Sequence, residues 1–166
     1  MAQGSARTQR LNQLESLIQL DYNKLAVFEE DLVITPGAPQ KFELRQRIAG
    51  EILPTLRQHE TEYGKLLSET PVVLPAHEAQ TLLDEVSKAA TSLEGKFAPN
   101  SEVSGALSDL KTELSKPGTA SAKLKLTLPI IPLIASYEVT FETAGLMRQA
   151  WRNVKAAIAK AAPNPS

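Results

Sequence analysis

Apolar side chains at Leu11, Leu14, Ile18, Tyr22, Leu25, Phe28 and Leu32 recur at spacings of three and four. On a 3.6-residue period they form one stripe along one helix face. Asp21 interrupts that stripe where a strict heptad would place an apolar residue, with Tyr22 beside it. The run "ITPGAPQ" then stops the helix and turns the chain, because Pro36 and Gly37 punctuate helical patterns. A second helix is predicted from about Pro39, whose missing N–H costs nothing in a first turn. Its stripe is Ile48, Ile52, Leu56, His59, Tyr63 and Leu66, with Phe42 and Leu44 near its start. Pro54 lies inside this pattern and cannot donate to the carbonyl of Gly50, so a kink is expected between them. Residues 1–70 therefore read as a long antiparallel helical hairpin, roughly 40 Å in length at 1.5 Å per residue.

Beyond the connector "SETPVVLPAHE", Pro75 opens a third helix bearing Ala79, Leu82, Val86, Ala90 and Leu93, with Gly95 as its stop. Asn100 or Ser101 caps a fourth, with Val103, Leu107, Leu110 and Leu114, which ends at Pro117 and Gly118 before a "GTASA" loop. The pattern then changes. Leu124, Leu126 and Leu128 alternate with Lys123, Lys125 and Thr127, and Tyr137, Val139 and Phe141 alternate with Glu138, Thr140 and Glu142. Period two predicts two strands, joined by the apolar, proline-containing "PIIPLIAS". Such a pair is marginal alone in water and has to lie on the helices. A last helix starts after Thr143 as N-cap, with Glu142 near its positive end. Met147, Trp151, Val154 and Ile158 line one of its faces, and Arg148, Arg152 and Lys155 another. Trp151 is read as a core anchor.

The expected fold is mainly α: a long antiparallel hairpin, short helices, and a small two-stranded antiparallel β unit before a C-terminal helix. Residues 71–160 are expected to form one domain with the hairpin. Residues 161–166 read as a disordered tail or linker, which suggests a module from a longer protein.

Composition narrows the chemistry. Without cysteine there is no disulfide framework, thiolate metal site or cysteine nucleophile. The N-terminus lacks the apolar core of a signal peptide, and no apolar run reaches the length of a membrane span, so a cytoplasmic location is expected. Residues 122–166 carry six basic and two acidic side chains. That excess is too small for a nucleic-acid binder but favours an acidic partner surface. His59 and His77 fall on different helices and do not make a zinc site. Glu29, Glu30 and Asp31 read as a solvated face near a helix end. No nucleotide-binding or common hydrolase motif is present. The expectation is a non-enzyme without cofactors.

Two features are candidates for an interaction surface. Ile130, Ile131, Leu133 and Ile134 either cap the helical core or form an apolar tip that binds a partner or a bilayer. Arg148, Arg152 and Lys155 are either a solvated face or a dock for an acidic partner or anionic lipid.

The stretch "LESLIQLDYNKLAVFEEDLVITPGAPQKFELRQRIAGEI" resembles helical-hairpin segments of large bacterial conflict-signalling proteins, where they stand beside caspase-like, TIR-like or NLR-like (STAND) NTPase domains. "KLKLTLPIIPLIASYEVTFETAGLMRQAWRNVKAAI" resembles a second piece of such proteins, an apolar strand pair followed by a Trp-bearing helix. The resemblance implies a non-catalytic adaptor module of bacterial immune or cell-death signalling that couples a sensor to an effector by protein–protein contact. Its partners would be domains of its parent protein or pathway. The long apolar stripe on residues 11–67 is satisfied either within the hairpin or by self-association with another copy of the chain. The alternative is a membrane-active death effector using residues 129–135 and the basic helix 144–160.

Overall fold

The computed structural model describes residues 2–72, 74–138 and 145–161. It divides into two compact units, Met1–Tyr63 and Gly64–Ser166. In the first, α1 (Ala2–Ile34) turns through residues 35–37 into α2 (Ala38–Arg47). Gly37 is the N-cap, with Pro39 in the first turn, where the absent N–H has no helical partner to lose. The helix continues through a π turn (Ile48–Ile52) into α3 (Leu53–Ser68). There the Leu53 N–H donates to the Ile48 carbonyl, one residue further back than in an α-helix. The physical cause is Pro54: its ring needs the space beside the Gly50 carbonyl and offers no hydrogen, and a widened turn supplies that room. Side-chain pairs 10–62, 15–63, 21–59 and 28–47 rise on one helix as they fall on the other, which defines an antiparallel hairpin. Its apolar seam holds Leu14, Ile18, Leu25, Ile52, Leu53 and Leu56.

The boundary of the second unit falls inside α3. There follow α4 (Ala76–Leu93), α5 (Glu102–Ser115), α6 (Ala120–Thr127), α7 (Ile131–Glu138) and α8 (Leu146–Ala161). Helix α4 packs on α5, α6 and α8, while α7 packs on α5 and α8. Small buried residues on α4 (Ala79, Ala89 and Ala90) allow this close approach. Local chemistry sets several boundaries. Ser101 and Thr119 accept N–H bonds from Ser104 and Ala122, each at 3.2 Å, as N-caps of α5 and α6. Gly95 takes a left-handed φ of 76° just past α4.

The two-stranded unit expected over residues 123–141 is not present: no strand occurs among the described residues, and positions 124–127 and 137–138 are helical. Leu124, Thr127, Leu128 and Ile131 are buried at helical spacing, whereas Leu126, which alternation had placed with them, is 60% exposed. Alternation over five residues is too short to exclude a helix, and Ala, Lys and Leu behind a Thr cap favour one. Pro132 does not oppose the helix either, since it occupies the first turn of α7, where its missing N–H has no helical partner. Residues 139–141, the predicted cap Thr143 with Glu142, and residues 162–166 of the expected tail lie outside the described residues.

Candidate interaction surface

Inside the hairpin, polar pairs tie α1 to α3. The Arg10 guanidinium donates to both carboxylate oxygens of Glu62, at 2.6 and 2.9 Å. The Tyr63 hydroxyl donates to Glu15 at 2.7 Å, and His59 Nδ1 donates to Asp21 at 2.6 Å. Asp21, the residue that broke the heptad, is buried against this histidine, so it fixes where α3 sits along α1 rather than exposing a polar edge. Burial, reinforced by the Glu15 hydrogen bond, pushes the Tyr63 phenol above its ordinary range. The Arg10 hydrogen bond pulls the Glu62 carboxyl down, and Glu62 in turn raises Arg10. These pairs are spread along the seam. Among the described residues, no three His, Cys, Asp or Glu side chains gather to hold a metal.

The outward side of the hairpin is different. Leu20 and Val27 are each 54% exposed and Ile34 is 75% exposed, and Val33 and Phe42 are exposed as well. Leu20, Val27 and Ile34 are seven residues apart, so they share one face of α1, away from the stripe of Leu14, Ile18 and Leu25. Sequence reading followed only the inner stripe. The signal that could have found the outer one is that seven-residue spacing, weakened by Lys24 and Asp31 at the intervening turns.

In the second unit, Ile131 and Ile134 are 0% exposed, and Ile130 and Leu133 are half-buried. Each fully buried isoleucine is worth roughly 1.5–3 kcal/mol relative to exposure, which explains why the apolar run turns inward. Gly64 makes this packing close. A Cβ there would overlap the Leu128 carbonyl and lie 2.7 Å from Pro132 Cγ. Arg152 is exposed, Arg148 is half-buried, and Lys155 Nζ lies 5.4 Å above the buried Trp151 ring. Part of the basic face of α8 is thus laid along its own aromatic anchor. The structure does not bring the two predicted candidates together as one exposed patch, because two members of the first are internal.

The residue that sequence reading missed here is Glu138. Its buried carboxylate accepts the Met147 N–H at 3.0 Å and the Arg148 N–H at 2.9 Å, so the last residue of α7 caps the first turn of α8. No local motif reports a cap that reaches across nine positions. Between α4 and α8, Glu85, Lys88, Leu146, Gln149 and Asn153 edge an open groove of about 230 Å³, closed at one point by the Asn153 donation to Glu85 at 2.9 Å.

Comparison with family models, curated proteins and solved structures finds no match to this chain. No helix among the described residues is long and apolar enough to cross a membrane.

Proposed function

We propose that this chain is a non-catalytic protein–protein interaction module whose working surface is the outward face of α1. The observation that carries this reading is the row of exposed Leu20, Val27 and Ile34 on one helix face. Aliphatic side chains aligned in water on a hairpin whose inner seam is already filled mark a binding surface. The setting we propose, coupling of a sensor to an effector in bacterial immune or cell-death signalling, rests on the likeness of residues 14–52 to hairpins of such proteins.

The test uses a photo-crosslinking amino acid at position 20 of the full chain, in the cell that makes it. The trapped partner, once purified, should bind the wild-type chain and lose at least about tenfold in affinity for Leu20→Glu, equivalent to about 1.4 kcal/mol. A chain that traps nothing there, yet turns over a nucleotide, peptide or ester in a reaction abolished by one substitution, would defeat the reading.

A further inference from the structure

We infer that the occupant of this α1 face is the same face of a second copy of the chain, laid antiparallel about a two-fold axis at Val27. This deepens the interaction reading and rests on it.

The argument is helical geometry plus charge. At about 100° per residue, Leu20, Val27 and Ile34 fall within roughly 40° of one another, and roughly 150° from the buried stripe. Lys24 and Asp31 flank them on one side, and Asn23 and Glu30 flank them on the other. In an antiparallel two-fold pair each flank meets its own copy with the ends reversed. Leu20 then meets Ile34, Val27 meets Val27, Lys24 meets Asp31, and the Asn23 amide meets Glu30.

A parallel pair would instead set each flank against the opposite one, leaving Lys24 level with Asn23 and Asp31 level with Glu30, a like-charge contact made twice. Lys24 is the single basic residue between Leu11 and Ile34. Glu15 and Asp21, the acids of the preceding half, are engaged inside the hairpin. No ion pair among the described residues uses Lys24, Glu30 or Asp31. The charges left facing outward therefore complement each other in the antiparallel arrangement, which selects a second copy over an unrelated apolar partner. The face is only about 21 Å long from Leu20 to Ile34 at 1.5 Å per residue. It falls short of a standard interface of about 1,600 Å², so a Kd on the order of 10–100 µM is expected.

Sedimentation equilibrium of the full chain, from low micromolar to millimolar concentration, tests this. A reversible monomer–dimer equilibrium is expected. Val27→Glu places two carboxylates together on the axis and should weaken it at least about tenfold. Lys24→Glu and Asp31→Lys should each weaken it several-fold, while the double variant, which only exchanges the facing charges, should return to within about twofold of wild type. None of the substituted positions is buried, and circular dichroism checks that each variant keeps its helix content. Dimers indifferent to Val27→Glu, a double variant no better than either single one, or a monomer at every concentration would overturn the inference. In the last case a heterologous protein trapped at position 20 would still uphold the interaction reading; nothing trapped and no dimer would remove both.

Discussion

Substituting Gly64 by alanine separates helix propensity from packing. In an exposed helix interior, glycine to alanine stabilises by about 0.5–1 kcal/mol, because alanine loses less backbone entropy on folding. Gly64 is buried in α3, and its new Cβ would overlap the Leu128 carbonyl and stand 2.7 Å from Pro132 Cγ. Carbon pairs prefer about 3.5–4.0 Å, so the shortfall is about 1 Å. The Leu128 oxygen is backbone and cannot rotate away. The segment 128–132 must therefore move off Gly64, at an overpacking cost of about 3 kcal/mol, the upper end of the usual range. Subtracting the propensity gain leaves Gly64→Ala destabilised by about 2 kcal/mol.

Gly105, on α5 of the same unit, has nothing within 4 Å of the place a methyl group would take, and Gly105→Ala should stabilise by about 0.5–1 kcal/mol. Urea unfolding followed by far-UV circular dichroism would read both, with a gap of about 3 kcal/mol between them. If the two alanine variants fall within about 0.5 kcal/mol of each other, the close approach of Gly64 to residues 128–132 is wrong. The burial of Ile131 and Ile134 would then have to be reconsidered with it.

Glu138→Ala strips the acceptors from the buried Met147 N–H and the half-buried Arg148 N–H and should cost about 1–3 kcal/mol in the same assay, with Glu138→Gln recovering part of the loss because its carbonyl still accepts; equal stability of all three chains would show that the cap contributes nothing. Asp21→Ala should destabilise the hairpin by about 1–3 kcal/mol by leaving His59 without its acceptor, while Asp21→Leu combined with His59→Met should approach wild type, since an apolar pair of similar volume replaces the polar one. A double variant as weak as the single one would contradict that account. Tyr63 keeps its proton in the fold above the usual tyrosine value of 10.0, whereas the unfolded chain releases it there. Stability should consequently fall as pH rises beyond about 10, and Tyr63→Phe should flatten that fall; an unchanged alkaline slope in denaturant titrations would refute the assignment.

What the residues by themselves determined is mostly local and repetitive. Two long helices followed from a stripe repeated over many turns. Their break followed from Pro36 and Gly37, and the capped start of α5 from Asn100 or Ser101, of which Ser101 holds the cap, because a side-chain oxygen two or three residues before an unpaired N–H acts within one turn. Tertiary structure decided the rest. Residues 123–138 carry both a two-residue and a helical pattern, and it is burial of Leu128 and Ile131 on one side, with Leu126 left in water, that selects the helix. Asp21 finds its reason in His59, 38 positions away. Gly64 finds its own in the Leu128 carbonyl, and α8 is capped by a carboxylate from another helix. Such pairings join groups distant along the chain, and their energies exist only once packing has removed water and brought both partners together. No window of neighbouring residues contains that information.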